Sequence, residues 1–193
     1  ADGSGGINGE ANLTFDGNDL TLGDGNLILA DGHGISFADT GDGNQGSSTA
    51  EILNDYEEGS WTPQIRFGNG APSGVTYAGN NNVGVYTKIG RLIMCIGEIN
   101  LTSKGTSTGY FAITGFPYNE GNYGGNIAKA SSSIGHYYYM NNWARWYGLD
   151  LFNNDDVAIF RGGGSANTND DRSNSDVNNN SNIQFAVTYF TDE

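Results

Sequence analysis

The chain has 193 residues, with 31 glycines, 3 prolines, 12% aromatic residues and a formal net charge of −14. That length holds one ordinary domain and an appendage, the aromatic share excludes a disordered chain, and the scarcity of proline excludes a collagen-like one. The acidic balance excludes a duplex nucleic-acid binder, whose phosphate contacts need the opposite sign.

The charge is unevenly placed. Of 22 acids, 12 lie in residues 1–65, which hold no Lys or Arg, so 10 acids and all 8 bases fall in the rest. An acidic stretch of this kind serves either solubility or cation binding. Abundant glycine with aromatic and β-branched residues, and no long helical periodicity, predicts an all-β chain with many tight turns. Cys95 stands alone in an apolar run and acts as a small hydrophobe. No stretch approaches the ~20 apolar residues of a membrane span, so no membrane insertion is expected. The start at Ala1 in Gly-rich sequence, without a signal peptide, predicts the C-terminal part of a longer protein.

Residues 1–40 carry a short repeat. Leu13-Thr14-Phe15, Leu20-Thr21-Leu22, Leu27-Ile28-Leu29 and Ile35-Ser36-Phe37 are apolar-x-apolar triplets, each separated from the next by a Gly-containing turn. Each triplet is a minimal half-buried strand, with two side chains on one face. A two-residue apolar face cannot bury itself, and a single-chain solenoid needs a coil of roughly 20 residues. The segment therefore predicts a stalk of intertwined copies, most simply three, with Leu13, Phe15, Leu20, Leu22, Leu27, Leu29, Ile35 and Phe37 as its core.

Residues 41–59 read as a linker and neck: a polar Gly/Ser-rich connection, then one helical turn around Ile52, Leu53 and Tyr56. From residue 60 to 193 the pattern is a β-sandwich, jelly-roll-like head. Trp61 to Phe67 alternates as one strand. Val83–Lys88 and Arg91–Leu101 form a hairpin across Ile89-Gly90, whose second arm is apolar on both faces. Such a strand lies inside the domain or against a subunit interface. Tyr110–Thr114, Ile127–Ile134, Arg145–Phe152, Val157–Arg161 and Ile183–Phe190 follow as strands. Gly162 to Asn182 reads as a long polar loop, either a binding loop or a solvated excursion.

Asn54-Asp55-Tyr56-Glu57-Glu58-Gly59-Ser60-Trp61-Thr62-Pro63 resembles the D-Y-E-E-G-[TS]-W-T-P signature of tail-fibre and other structural proteins of tailed bacteriophages, especially marine ones. The resemblance continues through Val85 to Leu92, Leu101 to Gly109 and Ile113 to Tyr118, and covers roughly residues 51–118. The upstream run from Gly25 to Phe37 resembles the short strand repeats that precede this domain in such fibres. The resemblance implies a homotrimeric fibre whose C-terminal β domain forms a head, attaches to a host surface and belongs to the virion tail. Its implied partners are its own copies, other virion tail proteins, and a bacterial receptor that is a glycan or an outer-membrane protein. The signature is not a catalytic motif there, and its acids with Trp61 read as the junction of stalk and head.

For chemistry, Asp55, Glu57 and Glu58 beside Trp61 raise the thought of a glycosidase pair, whose carboxylates must face each other at ~5–10 Å. Adjacent Glu57 and Glu58 point apart on a strand. The Gly/Asp turns match a calcium repeat weakly, having the wrong period. His33 and His136, the only histidines, would meet a metal only through copies around an axis. No cofactor, metal or catalytic residue is assigned. The recognition candidate is the aromatic run Tyr137, Tyr138, Tyr139, Trp143, Arg145, Trp146 and Tyr147, which offers flat faces for sugar rings. The same residues suit a sandwich core or a trimer seam. The reading favoured is a non-catalytic homotrimeric attachment fibre. The alternatives are a structural virion fibre or adaptor, and a polysaccharide-degrading tailspike. Replacing both Leu20 and Leu22 by Asp is expected to lower the light-scattering mass from about three times 20.5 kDa to that of one chain. An unaltered trimer would overturn the shared stalk.

Overall fold

The structure is a computed structural model that describes residues 13–23, 26–30, 33–36, 52–121, 130–141, 146–151, 156–163 and 170–192. Every regular element among them is a β-strand, and every ladder is antiparallel. The chain divides into two compact units, Ala1–Asn54 and Asp55–Glu193.

In the first unit, β1 (Leu13–Phe15) pairs with β2 (Leu20–Leu22) in a hairpin that sets Leu13 opposite Leu22 and Phe15 opposite Leu20. Asp16 closes the turn, its carboxylate accepting the amides of Asn18 at 2.9 Å and Asp19 at 2.8 Å. These donors hold its carboxyl below the usual range. Gly17 follows at φ 102°, a conformation that favours glycine. β3 (Gly34–Ser36) pairs with β4 (Ile52–Asn54), placing Ile35 opposite Leu53. Leu27–Leu29, expected as a strand, forms none. Leu20, Leu22, Leu27, Leu29 and Ile35 are exposed, as is Ile28 at 87%. The side chains of Leu13 and Phe15, and all of Phe37, lie outside the described residues.

The second unit is two packed sheets. The front sheet contains β5 (Tyr56–Trp61), β7 (Val75–Ile89), β8 (Leu92–Lys104), β10 (Ser131–Met140) and β14 (Val177–Phe190). The back sheet contains β6 (Gln64–Phe67), β9 (Phe111–Thr114), β11 (Trp146–Leu151) and β12 (Val157–Gly163), with β13 (Asp170–Asp171) on the side of β12. The front order is β10-β14-β8-β7-β5 and the back order β11-β12-β9-β6.

The helical turn expected over 51–59 is instead the strands β4 and β5, separated by Asp55 at φ 64°. The apolar spacing of Ile52, Leu53 and Tyr56 fits a helix locally. The backbone, however, finds partners on β7, from Tyr56 opposite Ile89 to Trp61 opposite Gly84. The strand expected from Trp61 to Phe67 is two strands. Trp61, Pro63, Ile65 and Phe67 are all buried as the alternation required, but Thr62-Pro63 carries the chain from the front sheet to the back. Pro has no N–H for a ladder, so the crossing falls where a strand is weakest. The β7–β8 hairpin stands as expected, turning at Gly90 (φ 56°) with longer arms. The strand expected at Ile127–Ile134 is described only from Ser131 onward, and residues 127–129 lie outside the described residues. The polar loop expected over 162–182 is shorter: β12 reaches Gly163, and β14 begins at Val177, which is fully buried.

The core fills the gap between the sheets. β8 gives Ile93, Cys95, Ile99 and Leu101, β14 gives Ile183, Phe185, Val187 and Tyr189, and β6, β9, β11 and β12 supply the opposing face. Trp61 stacks on Phe116 at 4.7 Å and meets the edge of Phe185 at 6.0 Å. Three glycines make these rings fit. A Cβ on Gly84 would lie 2.1 Å from Trp61, one on Gly97 2.5 Å from Phe185, and one on Gly59 2.5 Å from Tyr86. At one edge Ser132 ties the sheets together, its Oγ donating to the Leu149 carbonyl at 2.9 Å and accepting the Leu149 amide at 2.7 Å. Gly84→Ala is expected to lower stability by about 1–3 kcal/mol, the usual cost of overpacking a core. A urea midpoint equal to that of the parent would contradict this packing.

Candidate functional site

The aromatic run splits between the two faces of β10. Tyr137 turns inward and meets the edge of Tyr147 at 4.7 Å, and Tyr147 leans on Phe160 at 5.3 Å, next to the core. His136 and Tyr138 turn outward, with nearly parallel rings 6.3 Å apart. Tyr139 then breaks the alternation, because the register between β10 and β14 shifts between Tyr138 and Met140. At φ 56° its backbone is in the left-handed region, rare for a bulky residue. The strained bulge is clamped through its carbonyl, which accepts Asn178 Nδ2 at 2.8 Å and Ser181 Oγ at 2.7 Å. Ser181 is itself fully buried.

The result is an exposed ledge. Tyr138 and Tyr139 are 54% and 51% exposed, with ring centres 4.0 Å apart at 66°. The neighbouring Tyr138 side chain raises the Tyr139 phenol above its ordinary value. Asn178 donates to the Asn141 side chain at 2.7 Å behind the ledge. Two rigid rings beside carboxamides are suited to stacking on a sugar face and bonding its hydroxyls. Trp143 and Arg145 lie outside the described residues, and Trp146 is described only as backbone of β11. Of the seven candidate residues, two therefore form the ledge and two brace the fold beneath it.

Residues 55–58 have a structural task. Along β5, Glu57 faces inward and Glu58 outward, and Tyr56 donates to Glu58 at 2.5 Å. Glu57 accepts the hydroxyls of Tyr118 at 2.5 Å and Tyr86. These bonds, that of Tyr118 first, hold its carboxyl below the usual range, and the same contact pushes the Tyr118 phenol up. Lys88, 2% exposed, pairs with Asp55 and lies 5.3 Å over the Tyr118 ring. The acids therefore satisfy a buried cation and two phenols. Burial pushes the Cys95 thiol up to about 12, which leaves it unreactive.

Among the described residues no group of three His, Cys, Asp or Glu side chains is placed to hold a metal ion. Among them, too, no helix is long and apolar enough to cross a membrane. No family model matches the sequence, and no curated protein matches it. The fold is similar to the crystal structure of the Dettilon tailspike protein, with a TM-score of 0.53 and 17% identity over 70% of this chain. The matched chain is much longer, and this one spans 24% of it.

The sign of the Glu57 effect is fixed by its lowered folded-state value. Its contribution is complete above the ordinary value of 4.5 and lost as pH falls through the lower folded value. Glu57→Gln is therefore expected to melt below the parent at about pH 7, with the difference closing as the pH falls below the ordinary carboxylate range. Calorimetry of both proteins at neutral pH and through the acid range checks this, and a gap that persists in acid would refute it.

Proposed function

We propose that this chain is part of a tail attachment protein of a tailed bacteriophage, a homotrimer that holds a bacterial surface by repeated binding without cutting it. The observation that carries the reading is the likeness of fold to a tailspike over 70% of the chain. The signature and strand repeats, which resemble those of tail fibres, point the same way from sequence. The exposed leucines of the first unit support a stalk shared between copies, since isolated apolar strands this short are not stable alone. The ledge of Tyr138 and Tyr139 is the binding site in this reading, with a surface glycan as the ligand whose flat faces suit it. Three equivalent sites on one particle raise avidity through effective concentration, so tight binding does not require each site to be strong alone. Other virion tail proteins are the remaining partners, and the protein's location is the virion tail.

The test uses the labelled full chain on a panel of intact bacteria, with purified surface polysaccharide as competitor. Binding is expected to at least one strain, to be competed by its polysaccharide, and to fall about tenfold or more in the Tyr138→Ala, Tyr139→Ala double variant, as for a binding hot spot. Unchanged binding by the double variant would move the site elsewhere. Absence of binding across the panel would favour the structural-adaptor reading, and release of reducing ends from the polysaccharide would establish a spike that cleaves it.

A further inference from the structure

The front sheet is apolar on both sides. Its inner face builds the core, yet on its outer face Val83, Val85, Ile89, Met94, Ile96 and Phe190 are each about half exposed, from 44% to 56%. The ladders align these side chains into rows. Ile89, Leu92 and Phe190 form the first, Thr87, Met94 and Thr188 the second, and Val85, Ile96 and Ala186 the third. Six half-exposed side chains of this size present on the order of 500 Å² of apolar surface, near the top of the range for a monomer's largest patch. Beside the third row lies a shallow apolar depression of about 270 Å³, lined by Val83, Val85, Ile96 and the backbone of Gly84 and Gly97, and bounded by Glu98 and Gln184.

We propose that this outer face is where the heads of neighbouring copies of this chain meet. The inference rests on the homotrimer reading above and adds the surface to it. The charge pattern argues for an identical partner. The nine positions of the three central rows carry no charged residue, and carboxylates appear only at their border, Glu58 opposite Thr87 and Glu98 opposite Val83, while the chain as a whole bears −14. Identical acidic chains repel wherever their carboxylates approach, so a contact between them must sit where none are. A foreign partner drawn to an acidic protein would bring Lys and Arg, and the centre of this block offers them nothing to pair with, its carboxylates being confined to the border.

Chain connectivity adds a second argument. Only Asp55 separates β4 of the first unit from β5 of the front sheet. Copies joined through the first unit therefore hold their heads at an effective concentration of about millimolar, as short tethers do. At that concentration a patch too small for a free-standing dimer is filled.

Thiol labelling with a maleimide, together with light scattering, tests this on the full chain. Cys95 is buried and its thiol lies near 12, so it stays silent. Val85→Cys places a thiol on the outer face, and Gln64→Cys places one at the exposed first position of β6 in the opposite sheet as reference. The expected result is a mass of three chains with Val85→Cys labelled at least about tenfold more slowly than the reference. Equal rates in an assembly of three chains would overturn this inference and leave the homotrimer standing. A mass of one chain would overturn the homotrimer reading and this inference with it.

Discussion

The second unit closes because three glycines in the front sheet leave their inner positions empty. Trp61 fills the space over Gly84, Phe185 that over Gly97, and Tyr86 that over Gly59. Each ring comes from a strand adjacent in the sheet, so the aromatics lie down across the strands rather than standing into the core. This lets Trp61 reach both Phe116 and the Ile96 carbonyl, to which its Nε1 donates at 3.2 Å. Glycine weakens a strand by its conformational freedom. Here the loss is offset by the large apolar area that each ring buries.

From that packing follows the division of labour between the two faces. Inward, the sheet carries the aromatic layer and, at its β5 edge, a polar cluster in which Lys88, Asp55, Glu57, Tyr86 and Tyr118 satisfy one another. A buried ammonium without a carboxylate is costly, so Asp55 and Glu57 belong to the fold before they belong to any chemistry. Outward, the same sheet ends in the Tyr138–Tyr139 ledge on β10. The bulge that lifts this ledge is anchored by buried Ser181 on β14, so the backbone beneath the ledge is tied to the sheet.

Much of this was legible in sequence where the signal is local. The alternation of Ile93, Cys95, Ile99 and Leu101 gave the inner face of β8, and Leu92, Met94 and Ile96 announced the second apolar face. The hairpin at Gly90 was visible from its turn. What escaped depends on partners far along the chain. Nothing near Gly84 reveals that Trp61, 23 positions earlier, needs its space. Ile52, Leu53 and Tyr56 mimic a helical face until Ile89 and its neighbours claim the backbone of β5. In the aromatic run, strict alternation would send Tyr137 and Tyr139 to one face. The bulge at Tyr139 reverses that, and it is set by Ser181 and Asn178 some forty residues later.

The position of β14 has a consequence for how the protein is made. This late strand lies between β8 and β10, so the front sheet remains incomplete until Val177–Phe190 has been synthesised. From the completion of β8 at Lys104 until then, the β8 edge is unpaired and apolar on both faces. At ~5–20 residues per second that interval lasts on the order of several seconds. An edge of this kind is a template for pairing with the wrong chain. Crowding many such nascent chains together makes the rate of translation and the supply of chaperones part of this protein's folding problem.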